Sequence, residues 1–348
     1  MSRMERSGSI MSRPVAIVVG AGGISNAWFP ALKAEGVNVA AVVDVKRAAA
    51  EEKIAKHELS AQASDNLPKT LRGTAADFLV DLTIPEAHCA VTCAALSAGL
   101  HVIGEKPMAS SMAAARKMVR AAEKAGKLYM VSQSRRWDAN HETAAITVKS
   151  GRIGALTTLN CDFYIGAHFG GFRDEMPSPL VLDMAIHHFD LARMIAGEDA
   201  VSVYAQEFNP KGSWYKGDAA ANCIFDMSGG VKFAYRGSWC AEGCRTSWNG
   251  NWRIIGERGT ILYENDLEPI GEVVAGNKGF SRPLKPLKTV KSKLKHGTFR
   301  GALREMLGFL KTGRMPQTEC HDNIKSLAMV FAAIESSRTG RRVPVKGL

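Results

Sequence analysis

Asp183, His187 and Asp190 lie within one stretch, VLDMAIHHFDLARMIAG, residues 181–197. Its composition predicts a helix stopped by Gly197. At 100° per residue the three side chains fall within about 60° of one another, and His188 points roughly 140° away from Asp183. A carboxylate and an imidazole on consecutive turns can hydrogen-bond. The carboxylate then holds the ring and raises its pKa, which suits an acid–base group working near neutral pH. Most other positions here are apolar (Val181, Leu182, Met184, Ile186, Phe189, Leu191, Met194 and Ile195), so the helix is expected to be buried. A core network or a capping pair is enough to explain a single buried histidine. The whole cluster points to a site. The D-x-x-x-H spacing also fits two metal ligands, but no third ligand accompanies it, and no metal is expected.

A second chemical group is Lys106 in GEKPM, 104–108. It falls at the carboxyl end of a predicted parallel strand, the edge at which such sheets bind ligands. A lysine is ordinarily a surface residue, and this position argues for a task. The peptide before Pro107 has access to the cis form, although trans is commoner.

A third feature is VVGAGGISNAW, 18–28. Gly20 and Gly22 occupy the first two positions of G-x-G-x-x-G, and Ser25 stands at the third. In a chain with 33 glycines the motif alone is weak. Its context strengthens it, because the loop follows the first strand and opens a helix. Gly20 permits the turn, Gly22 lets the backbone approach a pyrophosphate, and the helix N-terminus offers N–H groups. Gly23 comes two positions too early to replace the third glycine, and Ser25 is small enough for close packing. Gly20, Gly22, Gly23 and Ile24 are the expected cofactor cradle. Asp44 ends the second strand, where a carboxylate would hold the adenosine ribose. A carboxylate there favours NAD, while Lys46 and Arg47 keep NADP open.

These groups need a scaffold. Over the first 135 residues strand and helix alternate: strands at 15–21, 37–45, 78–85, 101–107 and 128–134, helices at about 25–35, 46–59, 86–99 and 110–125. Such alternation implies an α/β fold with a doubly wound parallel sheet. The second half has strands at 155–166, 200–208, 221–227, 231–239 and 252–263, with a hairpin signal in MSGGVKF. It predicts an α+β domain on an open, mostly antiparallel sheet, followed by helices at about 298–312 and 321–338. The domains are expected at 14–135 and 136–348, after a disordered polar tail over 1–13 in which Met11 is an alternative start.

Composition narrows the function classes. The 46% hydrophobic and 23% charged residues are those of a globular protein, and no apolar run is long enough to span a bilayer. The seven cysteines form no C-x-x-C, which suits a reducing, cytoplasmic setting. The net charge of +11 owes much to 278–300, a stretch with no acidic residue that is expected to be a solvated loop. Such a loop also attracts anionic ligands at range. No nucleic-acid-binding signature accompanies it.

In order, the G-x-G, TIPEAH (83–88), EKP (105–107) and D-M-A-I-H (183–187) resemble the Gfo/Idh/MocA oxidoreductases over nearly the whole chain. The resemblance implies a Rossmann domain, a second domain on an open sheet, and a C-terminal segment returning to the first. It implies dimers or tetramers formed through the open sheet face, and NAD(P) chemistry on a sugar, cyclitol or related polyol. Lys106, Asp183 and His187 would be catalytic: His187 as base, Asp183 binding substrate and orienting it, Lys106 stabilising the reacting oxygen. Thr83, Ile84 and His88 would lie along the nucleotide, with Glu105 near the nicotinamide ribose.

The chain departs from the family at MPSPL (176–180), where a glycine-rich run is usual, and at Ala185, where a glycine is usual. Substrate contacts are expected from Lys106, Tyr164, His168, Arg173, Asp183 and His187. The wider aromatic and basic set, with Trp214, Tyr215, Arg236, Trp239, Trp248 and Trp252, suits either sugar rings or a subunit contact. Two other functions compete. One is an NAD-dependent, redox-neutral glycoside hydrolase. The other is a non-catalytic nucleotide sensor, which has little need of all three catalytic residues.

Overall fold

A computed structural model describes residues 13–348. The tail expected over 1–13, Met11 included, lies outside the described residues except for Arg13.

Five apolar strands and one short polar one form a six-stranded parallel sheet: β1 (Val15–Val19), β2 (Asn38–Val43), β3 (Gln62–Ser64), β4 (Phe78–Asp81), β5 (His101–Glu105) and β6 (Tyr129–Ser132). The order is β3-β2-β1-β4-β5-β6. Strand order reverses between β1 and β4, which opens a crevice at their carboxyl ends. Helices α1 (Ser25–Ala34), α2 (Arg47–Lys56), α3 (Leu67–Gly73), α4 (Pro85–Ser97) and α5 (Met112–Ala125) make the crossovers. With helices on both faces, the central strands need no alternation, and β1 and β4 are apolar throughout apart from Asp81.

After α6 (Ala139–Lys149) the second sheet begins with β7 (Leu156–Tyr164). A helical segment, ending in α7 (Ile186–Ala196), precedes β8 (Ala200–Phe208), β9 (Ala220–Met227), β10 (Lys232–Ser238), β11 (Asn251–Gly256), β12 (Gly259–Tyr263), β13 (Ile270–Val274) and β14 (Leu284–Pro286). Helices α8 (Thr298–Thr312) and α9 (Cys320–Thr339) and the short β15 (Val343–Pro344) complete the chain. The order is β14-β13-β12-β11-β7-β10-β9-β8-β15, antiparallel except where β7 and β10 run parallel. The hairpin expected at MSGGVKF joins β9 to β10, with Gly230 at φ +92° and Met227 N–H donating to Val231 O at 2.9 Å.

Three expectations change. The strand expected over 252–263 is two, β11 and β12, paired antiparallel across a turn at Glu257 and Arg258. The solvated loop expected over 278–300 contains the edge strand β14 and the start of α8. The helix expected over 181–197 is not regular: Leu180–Ala185 winds as a π-helix and only Ile186–Ala196 is α-helical. The wider turn breaks the 100° spacing that placed Asp183 over His187.

One face of the second sheet is covered by α7 and α9. Phe189 of α7 packs edge-on against Phe225 and Tyr235, with ring centroids 4.8 and 5.4 Å apart. The other face is open, with Tyr204 exposed opposite an exposed Ile224. α8 returns to the first sheet. Its Arg300 and Arg304 pair with Glu35, Phe299 meets Trp28 at 5.6 Å, and Ala302, Leu303 and Met306 join the core of β1 and β4.

Candidate active site

β5 ends at the carboxyl edge of the parallel sheet and hands Lys106 forward, followed by a cis Lys106–Pro107 peptide. The Lys106 ammonium donates to Asp183 Oδ1 and to the Asp183 carbonyl oxygen, both at 2.7 Å. The π turn presents that carbonyl, so the irregularity serves the contact. Arg173 Nε donates to the other carboxylate oxygen, Oδ2, at 2.6 Å. Burial pushes the Asp183 carboxyl up, but Lys106 and Arg173 outweigh it and hold the group below its usual value. Asp183 is therefore ionised, and both of its oxygens are taken by cations.

His187 opens α7 and is buried. Its Nδ1 is enclosed and has no partner among the described residues. Burial, then the charges of Arg135 and Lys106, push its pKa well below the ordinary histidine value. This corrects the expectation of a ring held and raised by Asp183: the carboxylate is spent on Lys106 and Arg173, and the ring is neutral near pH 7. Asp190 leaves the cluster altogether. It accepts from Arg136 Nε and Nη2 at 2.7 Å each and from Ser326 Oγ at 2.7 Å, away from Lys106.

At the opposite side of the crevice Gly20 has φ +100°, and a Cβ there would come within 2.6 Å of the Leu82 carbonyl group. Only glycine fits. At Gly22 and Gly23 an added Cβ would meet nothing within 4 Å, so the loop is open to a ligand there. Ser25, at the third motif position, is buried, and its hydroxyl donates to Gly22 O at 2.7 Å. Asp44 accepts from Ala21 N–H at 2.8 Å and Lys46 N–H at 2.9 Å, which fixes it beside the loop. Ile24, Val45 and Ile84 are exposed apolar side chains on the loops after β1, β2 and β4. Bare backbone, a fixed carboxylate and an apolar rim fit a dinucleotide. Thr83 is bound to Asp81 at 2.6 Å through its hydroxyl.

Other expected contacts sit further back. His88 is buried, with Nδ1 3.0 Å from Pro107 O and Nε2 2.9 Å from Thr83 O. It ties the two loops together from beneath instead of lying along the nucleotide. Glu105 is buried and accepts from Trp28 Nε1 at 2.8 Å, behind the edge. Tyr164 falls on the open face of β7 beside Asp162, because Leu159, Cys161 and Phe163 take the covered face. His168 is exposed, paired with Glu242 at 2.8 Å and stacked on Trp214 at 3.6 Å. Neither is brought to Asp183. Arg173 is, with its guanidinium 5.0 and 4.7 Å from the ring centres of Phe169 and Phe172.

Sequence reasoning missed Arg135. It follows β6 on a short 3₁₀ turn, Ser134–Trp137, and its charge acts on His187. The only signal was two adjacent arginines, SRRW, at the carboxyl end of a strand.

Residues 15–133 match the model of the oxidoreductase family with NAD-binding Rossmann fold, and residues 141–262 match the GFO/IDH/MocA C-terminal domain. The chain belongs to the Gfo/Idh/MocA oxidoreductases. Its cofactor is NAD, as the glycine loop and the family both indicate. Among relatives of this Gfo/Idh/MocA protein, the uncharacterized protein y4oX of Sinorhizobium fredii is 30% identical over 344 residues, 94% of each chain. D-apiose dehydrogenase of Paraburkholderia graminis is 26% identical over 281 residues, 78% of this chain and 74% of that one. An oxidoreductase from Agrobacterium radiobacter, solved with NAD+, L-tartaric acid and magnesium, shares the fold with a TM-score of 0.85 at 22% identity. That match covers 96% of this chain and 99% of the other.

Proposed function

We propose that this protein moves hydride between NAD and a hydroxyl-bearing carbon of a sugar, cyclitol or related polyol. The observation that carries the reading is the 2.7 Å contact between Lys106, from the nucleotide-side edge, and Asp183, from the second half. It supports a site at the edge where the nicotinamide would lie, with the Lys106 ammonium against Asp183 and the neutral His187 four residues further along. Gly20, Gly22, Gly23, Ile24, Asp44, Thr83 and Ile84 would hold the cofactor, and bound NAD supplies the hydride acceptor. His187 takes the proton of the substrate hydroxyl, its neutral ring being the form that can accept one. Lys106 stabilises negative charge developing on the same oxygen. Asp183 fixes the Lys106 ammonium through two contacts and, with Arg173, borders the substrate. Fixed between β2 and the loop, Asp44 repels a 2′-phosphate and favours NAD over NADP.

The open sheet face, with Tyr204 opposite Ile224, supports a homodimer or homotetramer. Seven free cysteines support a reducing, cytoplasmic setting. Among the described residues no helix is long and apolar enough to cross a membrane.

The test is nicotinamide absorbance with NAD⁺ and a panel of sugars and cyclitols. Wild type is expected to produce NADH with at least one member, and His187→Ala to lose that activity. Activity surviving intact in His187→Ala removes the assignment.

A further inference from the structure

Arg135 is a half-buried guanidinium whose partners are all uncharged. It donates to the Trp248 carbonyl oxygen, to Asn249 Oδ1 at 2.6 Å, and to the Met184 sulfur at 3.9 Å. The other buried or half-buried arginines near α7 behave differently. Arg136 pairs with Asp190 and Asp322, Arg193 with Asp199 and Asp322, and Arg173 with Asp183. The carboxylates nearest Arg135 are engaged elsewhere. Asp138 caps α6 through the N–H groups of Asn140 and His141, and Asp266 accepts from Asn249 and the Tyr263 hydroxyl. Burial pushes the Arg135 pKa down to about 10, so it stays charged at neutral pH. A desolvated charge without a counter-ion is costly in a fold.

Its position says where a counter-ion would come from. The Nη2 edge meets only a thioether, a weak acceptor. Met184 adjoins Asp183, and after burial the Arg135 charge is the largest influence lowering the His187 pKa. A substrate lying on Lys106 and His187 therefore lies beside Arg135. Arg173 adds to the same excess, since Asp183 is shared between it and Lys106 and its Nη atoms have no partner among the described residues. Lys106 and Arg173 share one carboxylate, Asp183, and Arg135 adds a third positive charge on the turn that carries it, through Met184.

We propose that the substrate is an acid sugar or polyol, an aldonate or uronate, whose carboxylate pairs with Arg135. The proposal rests on the dehydrogenase reading for the placement of the substrate. A monoanion matches Arg135, and a planar carboxylate matches the fork of a guanidinium.

The experiment compares matched ligands on the NADH-loaded protein by calorimetry: D-gluconate with D-glucitol, D-glucuronate with D-glucose, and D-glucose 6-phosphate as a phosphate arm. At least one acid is expected to bind roughly tenfold or more tightly than its neutral partner. Arg135→Met should bring each pair within about twofold, and Arg135→Lys should keep part of the preference. Neutral members binding as tightly as the acids, no acid binding, or binding by the phosphate alone would each overturn it. The wild-type comparison needs no variant to fold. A preference for acids without NADH formation from NAD⁺ would sink the dehydrogenase reading and leave this one standing. NADH formed from neutral polyols in preference to acids would do the reverse.

Discussion

Two clusters of ionised side chains sit seven residues apart on one helical segment and have opposite construction. Around Asp190 the charges balance: Arg136, Arg193 and Lys325 meet Asp190, Asp199 and Asp322, and Ser326 fills a remaining acceptor position. Asp190, Arg136 and Arg193 are buried, and the cluster ties the turn after β6, α7 and α9 together. Around Asp183 the charges do not balance, and Lys106 and Arg173 keep part of their surface open. A closed, neutral network holds the helix still, while an open, positive one is left for a ligand to complete. Sequence spacing put both aspartates on one face, and only their partners separate them.

The sharpest way to break this contrast is Asp190→Ala. It removes the two-point partner of the buried Arg136, leaving that guanidinium to Asp322, and should cost about 3–5 kcal/mol of unfolding free energy in urea titration. Asp183→Ala should cost clearly less, because its cations can turn to water. Equal losses would mean that both clusters are structural. Next comes Lys106→Met, expected to lower kcat by about 10²–10³-fold if the ammonium stabilises the reacting oxygen. A rate within threefold of wild type would place Lys106 with the brace. Asp44→Ala should weaken NAD binding by about 1.5–3 kcal/mol and NADP binding by less, measured by fluorescence titration. Equal weakening of both would remove Asp44 from the ribose.

A further prediction concerns pH. His141, His187 and His188 are all buried with lowered pKa, His141 to about 4. Burial is the main cause in each case. Depressed folded-state values mean that the unfolded chain binds more protons below its own histidine pKa of about 6.5. Stability should therefore rise with pH from about 4 to about 6.5, each histidine adding up to about 1.4 kcal/mol per pH unit, and level off above. Urea midpoints across that window measure the slope, and His188→Phe should reduce it. An unchanged slope would mean that His188 takes up its proton in the folded protein as well.

The nucleotide half was largely legible because backbone makes it. A glycine that must turn, as Gly20 does, and apolar strands covered on both faces leave local signals. Short polar elements such as β3 and β14 leave none, since Gln62–Ser64 and Leu284–Pro286 carry no period long enough to register. On the substrate side, Lys106, Asp183 and His187 were legible as residue types at motif positions, but their wiring was not. Asp183 meets Lys106 across 77 residues, and Arg135 meets Asn249 across 114. Neither partner can be read from a helical wheel, and the π turn at 180–185 invalidated the wheel itself. Tyr164 was misplaced for a simpler reason: it alternates with Phe163, and the covered face took the phenylalanine.

The return of α8 to the first sheet has a mechanical consequence. The chain passes between the two halves three times: after β6, before α8, and again between α8 and α9, where Val131 N–H meets Thr318 O at 3.0 Å. A single tether would let the halves swing freely about one joint. Three passages, with Trp137 and Gly301 in close contact where two of them meet, confine any opening of the crevice to an axis through those crossings. The nucleotide loop and Lys106 then form one jaw of a hinge and Asp183 the other, so that grip on the cofactor and grip on the substrate change together.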